Sequence, residues 1–407
     1  RHKKYFPAQQ QRPASVVKEL MENSIDAGAT SITVEIAEGG TSVIKITDNG
    51  KGIPKDEIRT AFMRHATSKI DSFEDLENVL TLGFRGEALS SIASVAQVEM
   101  LTRTENDSMG TRIVINGGVV DREEECAANV GTVFYVKNIF FNTPARRKFL
   151  KKPATEGSYI SEIVNRIALG HPNIAIKYVN NGNIVLQTNG DGNVKNSLFY
   201  IYGKDIASKM LSLESEKDGY ILKGLVGKPE LSRGNRNYEN FFINGRFIKS
   251  TLVQNAVEDA YKNKIMIGKF PIFALDLIVP SNTVDVNVHP TKMEVRFKDE
   301  DKIYKVVYHA IKSTMLKFEF LGNNENEEHN EEYIENEYEF LTNEYSEKSS
   351  NSKSENQEQK EAEHNIIANI NSKNELRKRE EARTVKYKYI GILFRTFIII
   401  EVENEIF

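Results

Sequence analysis

Near Glu319 the chain changes character, and that break limits what can fold. From about residue 319 to 385, Asn, Glu, Ser, Lys and Gln dominate and large apolar side chains thin out. Such a stretch cannot bury enough surface to offset its ordering entropy, so it reads as a disordered acidic and polar linker. A packed core must come mainly from the residues before the break in this 407-residue chain. At roughly 150 residues per domain, the length of the chain suggests two or three domains.

The segment before the break is α/β in pattern. "SITVEI" and "SVIKITD" alternate with period two, as half-buried strands do. "GEALSSIASV" repeats apolar residues at helical spacing, and "TRIVINGGVV" reads as a hairpin around Asn116-Gly117. In "NTPARRKFL", Thr143 and Pro144 read as a hydroxyl cap and first-turn proline. These patterns define a first domain over 1–196. A second, over 197–318, mixes strands ("YILKGLVG", "NFFINGRFIK", "IFALDLIV") with helices ("TLVQNAVEDAYK", "DKIYKVVYHAIKSTML"). Residues 386–407, "YKYIGILFRTFIIIEVENEIF", are again strand-like.

Composition removes several function classes. One cysteine, Cys126, leaves no internal disulfide or multi-cysteine zinc site. No apolar run reaches membrane-spanning length and the start is not a signal peptide, so no membrane partner and a cytoplasmic location are expected. The net charge of −4 conceals opposite extremes, basic around "NTPARRKFLKK" and acidic in "GNNENEEHNEEYIENEYEF". A near-neutral total can therefore hide a nucleic-acid face.

Three short stretches carry candidate chemistry. In "VVKELMENSIDAGA", Glu19 and Asn23 stand four residues apart on one helix face. Asn23 offers a neutral oxygen of the kind Mg²⁺ accepts, and Glu19 could take a proton from an attacking water. The pair could equally be a solvated face opposite Val17, Leu20, Met21 and Ile25, which is the commoner meaning of such a pattern. In "ITDNGKGI" a strand runs into glycines. Asn-Gly there favours a hairpin, but "IPKDEIRTAF" then starts a helix, not a returning strand. Asp48 at the strand end could accept a hydrogen bond from an adenine amine, while Gly50 and Gly52 let backbone approach a flat base. "TLGFRGEALSS" brackets Phe84-Arg85 with Gly83 and Gly86 at a helix start, where free amides and the dipole suit phosphate. Just upstream, "RHATSKI" adds Thr67, Ser68 and Lys69 as donors, and His65 alone reads as packing. No glycine-rich Gly-Lys-Ser/Thr loop occurs, so a nucleotide site must be of another type.

In that order the three stretches resemble the GHKL ATPases. "RPASVVKELMENSIDAGA", "GFRGEALSSIASV", "FFNTPARRKFL" and "VDVNVHPTKMEVRF" are similar to the MutL family of DNA mismatch-repair ATPases, over about Arg12 to Leu316. The resemblance implies a layered α/β sandwich followed by a ribosomal-S5-like α/β domain. It implies ATP and Mg²⁺ as cofactors. Glu19 would be the general base and Asn23 the Mg²⁺ ligand. Asp48 would read adenine, with Gly50, Gly52 and Thr132 beside it. Thr67, Lys69, Gly83, Phe84, Arg85 and Gly86 would form the lid and phosphate cradle. Lys292 would reach the γ-phosphate from the second domain, and His289 beside it reads as structural. Arg246, in "FFINGRFIK", would help bind double- and single-stranded DNA without sequence preference, with Arg233, Arg236 and Lys249 as a neighbouring phosphate-binding patch. Implied partners are the mismatch-recognition protein MutS, a downstream nuclease or helicase, and a second copy joined through the N-terminal domain in the ATP state.

Two departures accompany the resemblance. Members usually carry an Ile-Ala-Ala-Gly-Glu-Val arm where this chain reads "KKYFPAQQQ". The last residues resemble only the opening strands of a dimerisation domain, so no endonuclease activity is expected. An alternative on the same residues is a fragment that binds DNA or repair partners without turnover.

Overall fold

Alternation of buried and half-buried residues along β1 (Ser31–Ala37) and β2 (Val43–Asp48) already defines a sheet with one covered face. The protein is described here by a computed structural model covering residues 12–63, 88–217, 219–280, 283–285, 295–321, 387–393, 397–402 and 405–406. The chain divides into two units, Arg1–Glu325 and Asn326–Phe407.

Helix α1 (Pro13–Asp26) opens the first unit, with Pro13 in its first turn and Val16, Val17, Leu20 and Met21 buried at helical spacing. It stops where Gly28 takes φ +75°, a backbone conformation that costs glycine little. After β1 and β2 come the short α2 (Ile58–Ala61) and α3 (Ala88–Val95). Strands β3 (Gln97–Arg103), β4 (Gly110–Asn116), β5 (Val119–Cys126) and β6 (Gly131–Lys137) follow. Then come α4 (Pro144–Arg147), the long α5 (Pro153–Gly170), β7 (Ala175–Asn180) and β8 (Asn183–Gln187). The eight strands form one sheet in the order β5-β4-β3-β6-β2-β1-β7-β8, antiparallel except for β1 beside β7. Helices α1 and α5 press Val17, Leu20, Ile160 and Val164 onto Ile32, Val34, Ile44 and Ile46. Each such side chain contributes roughly 1.5–3 kcal/mol on burial.

Helices α6 (Val194–Tyr202) and α7 (Lys204–Ala207) lead into a second sheet. Helix α6 spans the 196/197 point at which the sequence pattern suggests a domain boundary. The sheet contains β9 (Met210–Lys217), β10 (Tyr220–Gly227), β11 (Glu239–Ile243), β12 (Arg246–Phe247) and, after α8 (Thr251–Ala260), β13 (Phe273–Ile278). Its order is β12-β11-β13-β10-β9, with β11 and β13 parallel. The two-residue strands β14 (Val284–Asp285) and β15 (Arg296–Phe297) pair with each other, and α9 (Glu300–Leu321) closes the unit. Alternation along β11 decides the layering: Phe241 packs with Val257, Tyr261 and Val307, whereas Phe242 packs with Leu169 and Leu198. The second sheet therefore buries both faces, and its inner one rests against α5 and α6 of the first layer. In the other unit, β16 (Tyr387–Leu393), β17 (Phe397–Val402) and β18 (Glu405–Ile406) form an antiparallel sheet where the sequence reads as strands.

The chain thus adopts the mixed α/β class, and the Asn116-Gly117 hairpin joins β4 to β5 as expected. One local expectation fails. Thr143 precedes α4, but its side chain caps nothing and its buried hydroxyl has no partner. Its φ/ψ of −131°/70° differ from the extended conformation usual for a side-chain cap.

Candidate functional site

The end of β2 is where sequence and packing converge. Asp48 is its last residue, only 8% exposed, at the point where the backbone leaves the sheet. The loop that follows runs to α2 and not into a returning strand, so the hairpin alternative is excluded. Asp48 Oδ2 accepts a hydrogen bond from Ser24 Oγ at 2.8 Å, and Oδ1 accepts one from the Gly50 amide at 2.9 Å. Burial raises the Asp48 carboxyl above its usual range, opposed by Ser24 and by the backbone of Gly50 and Thr132. Two carboxylate oxygens offer about four acceptor positions, so these bonds leave Asp48 with capacity to accept another.

Ser24 lies on α1 one residue after Asn23, or 100° around the helix. Its bond therefore fixes how α1 is rotated over the strand end. Lys51 N–H donates to the Ala27 carbonyl at 3.0 Å, a second tie between helix and loop. Glu19 and Asn23 are both half-buried, and neither side chain makes a hydrogen bond or ion pair among the described residues. The next acid, Glu22, is turned elsewhere and pairs with Lys18 at 2.7 Å. One face of α1 thus holds a carboxylate and an amide uncommitted to the protein, while the adjoining face anchors Asp48.

Thr132, on β6, stands opposite Asp48 and opposite Thr102 on β3. The Thr102 hydroxyl accepts from Ile53 N–H at 2.9 Å and donates to the Gly131 carbonyl at 3.1 Å. Its one proton is then committed, so Thr132 donates across the 3.1 Å gap between the two hydroxyls. The Thr132 oxygen keeps its own lone pairs free to accept. Ser24 and Thr102 were not anticipated from sequence. The available signal was a small polar residue in an apolar frame, which occurs too often to single out.

Gly52 is required for packing as well as for any ligand. It takes φ +74°, and a Cβ there would lie 2.2 Å from the Arg103 carbonyl oxygen. Gly50 is confined by Ala27, whose Cβ would be 2.9 Å from an added one. Thr67, Lys69, Gly83, Phe84, Arg85, Gly86 and Lys292 lie outside the described residues, as do His65, Ser68 and His289. Of the expected nucleotide residues, the fold brings Asp48, Gly50, Gly52 and Thr132 together and sets the Glu19–Asn23 face on the helix bound to them.

Asn23 fits a cation that takes few protein ligands, because its amide oxygen is uncommitted. Among the described residues no group of three His, Cys, Asp or Glu side chains is placed to hold a metal. An ion that completes its shell with phosphate and water needs no such group.

A second cluster surrounds Arg246. Asn244 (φ 49°) and Gly245 (φ 78°) turn β11 into β12, both with the positive φ of a tight hairpin. The Gly245 amide donates to Asp276 at 3.1 Å. Arg246 and Phe247 then face Lys18 and Glu22 of α1, Arg166 of α5 and His171 just after that helix across a small cavity. Burial raises the Glu22 carboxyl, while Lys18 and Arg246 oppose that shift. Burial pushes His171 down to about 4, against the pull of Asp26. The neighbouring patch expected from sequence is partly committed elsewhere. Arg236 makes a bidentate pair with Glu258 at 2.7 and 3.1 Å, and Arg233 donates to the Leu231 carbonyl. Arg146 and Arg147 are exposed on α4.

Comparison with known proteins fits both regions. Residues 11–130 match the family model described as histidine kinase-, DNA gyrase B-, and HSP90-like ATPase. Residues 198–316 match the one described as DNA mismatch repair protein, C-terminal domain. The chain is 53% identical over 294 residues to the DNA mismatch repair protein MutL of Agathobacter rectalis, covering 72% of this chain and 45% of that one. It is 49% identical over 301 residues to MutL of Clostridium acetobutylicum, covering 74% and 48%. The chain therefore spans about half the length of these curated relatives. Among solved structures it resembles the Aquifex aeolicus MutL ATPase domain complexed with ADP, at TM-score 0.52 and 25% identity over 72% of this chain and 96% of that one. It also shares its fold with the N-terminal domain of a DNA repair protein, at TM-score 0.62 and 22% identity over 76% and 96%. Among the described residues no helix is long and apolar enough to cross a membrane.

Proposed function

The chain belongs to the MutL family of DNA mismatch repair proteins, and from that premise we propose that its first domain binds and hydrolyses ATP at the face shared by α1 and the end of β2. The carrying observation is that one helix both anchors Asp48 and presents an uncommitted carboxylate and amide beside it. Ser24 holds Asp48 for the adenine, while Glu19 and Asn23 stand uncommitted on the neighbouring face. Asp48 accepts from the adenine amine at its open position, and the Thr132 oxygen takes a second polar contact with the base. Glu19 accepts a proton from the lytic water and orients it in line with the γ-phosphate. Asn23 holds Mg²⁺, which neutralises phosphate charge when bound. Thr67, Lys69, Gly83, Phe84, Arg85 and Gly86 close over the phosphates, and Lys292 senses the γ-phosphate from the second domain.

On this reading hydrolysis removes the group that Lys292 and the lid hold, so nucleotide state sets the arrangement of the two domains. That arrangement governs pairing of two copies through their N-terminal domains and contact with MutS and a downstream nuclease or helicase. Arg246 contacts the DNA backbone. Such contacts are blind to sequence, and log affinity falls by about 0.9 per neutralised phosphate per log unit of salt.

The test is Glu19→Ala. Steady-state phosphate release is expected to fall to background while ATP still binds. Release at the wild-type rate would remove Glu19 as the base. Loss of both binding and release would place Glu19 in substrate binding instead.

A further inference from the structure

Glu239 begins β11 with its side chain only 1% exposed, yet neither carboxyl oxygen has a hydrogen-bond partner of ordinary geometry. A buried carboxyl without donors is costly unless it is neutral or meets a ligand. The nearest cation, Arg236 Nε, is 4.0 Å away and is committed to Glu258 at 2.7 Å. The Gln254 side chain, on the same cavity wall, weakly opposes the effect of burial on the carboxyl.

This carboxyl lines a cavity of about 210 Å³ between α5, the β11–β12 hairpin and the start of α8. One water needs only about 10–15 Å³, so the space admits a polyatomic group. Arg166, Lys249 and Ser250 also line it. Ser250 caps α8 by accepting from Val253 N–H, which leaves its hydroxyl proton to donate, and the positive end of the helix dipole lies on this side of the cavity. Arg166 lies over the Phe247 ring at 4.1 Å, which holds its guanidinium in place.

The charges facing Glu239 decide which ligand suits the cavity. Arg166 is balanced by Glu162 at 2.6 Å on α5, and Arg236 by Glu258 on α8. Lys249, after β12, has no carboxylate partner among the described residues. With Glu239 neutral the site therefore carries one surplus positive charge, and with Glu239 ionised it carries none. Burial, reinforced by Glu258, pushes Glu239 up to about 8. Below that pH it is an O–H donor; above it, an anion in an anion site.

We propose that this cavity is a phosphate-binding site in which Lys249, Arg166 and the Ser250 hydroxyl hold the anion and the Glu239 acid donates a further hydrogen bond to it. The phosphate belongs to a nucleic-acid backbone, an assignment that rests on the DNA-binding reading above; the chemistry of the cavity does not. The Glu239 proton makes the site pH-gated, open near pH 6.5 and closed near pH 9.

The experiment uses the full chain and two probes. A fluorescently labelled duplex of about 30 base pairs is titrated at pH 6.5 and pH 9, at fixed ionic strength, against wild type, Glu239→Gln and Arg246→Ala. Wild type is expected to lose about tenfold in affinity between the two pH values, beyond any loss seen in Glu239→Gln. Arg246→Ala is expected to bind more weakly at both pH values while keeping the wild-type ratio. Equal pH ratios in wild type and Glu239→Gln would overturn the gate. The second probe is inorganic phosphate, read as a rise in melting temperature against matched chloride. The rise is expected in wild type at pH 6.5, and neither at pH 9 nor in Lys249→Ala. Its absence from wild type at pH 6.5 would overturn the site. A phosphate effect without any DNA binding would keep the site and remove the DNA reading.

Discussion

Asp48 and Glu239 are both buried acids at strand ends, one closing β2 and the other opening β11, and they differ in what meets their oxygens. Asp48 accepts from Ser24 and from the Gly50 amide of a glycine loop, so its charge is partly solvated by the protein. Glu239 is met by no donor of ordinary geometry, so its carboxyl rises much further, to about 8. Burial acts in the same direction on both. The donors decide that one is suited to accept from a ligand and the other to donate to one. Glu22 falls between them, with one oxygen on Lys18 and the other unpartnered.

The comparison can be broken where its effects are largest. Asp48→Asn keeps the shape but removes the acceptor charge, and should weaken ATP binding by about 3 kcal/mol, roughly a hundredfold, in a fluorescent-nucleotide titration. An affinity within threefold of wild type would reduce Asp48 to a structural acid. Glu239→Gln tests the other side through stability. Folded Glu239 keeps its proton up to about 8, while an unfolded glutamate loses it near 4.3. Wild-type stability should therefore fall as pH rises through that window, and the variant should not follow. The stability gain from Glu239→Gln is expected to be larger at pH 9 than at pH 5 by up to about 4 kcal/mol, measured by urea unfolding. A constant difference would mean that Glu239 is ionised throughout.

Smaller changes sharpen the contrast. Ser24→Ala leaves Asp48 Oδ2 without its side-chain donor and frees the rotation of α1, at a cost of about 1.5 kcal/mol. Nucleotide affinity should drop with it by about tenfold, and a loss of stability without loss of affinity would show that the Ser24–Asp48 bond serves the fold alone. Thr102→Val removes the acceptor for Ile53 N–H and the partner of Thr132, and should cost about 1 kcal/mol in thermal unfolding with ATP affinity within about threefold of wild type.

Much of the frame was legible in the residues. Strand periodicity identified β1, β2, β10, β11 and β13, and the glycine loop after Asp48 was distinguishable from a hairpin because proline and acids follow it. The long helix α5 escaped notice. Its apolar stripe is broken by Glu156, Gly157 and Ser161, yet Glu156 and Gly157 are buried and Glu156 accepts from the Lys151 amide. The Thr143 cap was misread because a Thr-Pro pair says which residue could cap, not which φ/ψ the packed chain allows.

From sequence alone come the strand and helix periods, the Glu19–Asn23 spacing and the family likeness. These depend on local stereochemistry and on short motifs that the chain carries in order. Only the tertiary structure decides that Ser24 clamps Asp48, that Thr102 orients Thr132, that Arg236 is committed to Glu258, and that Glu239 faces an open cavity without donors. Those pairings join residues that the chain separates and packing brings within hydrogen-bond reach. At that range a donor gained or missed can reverse what a buried acid does.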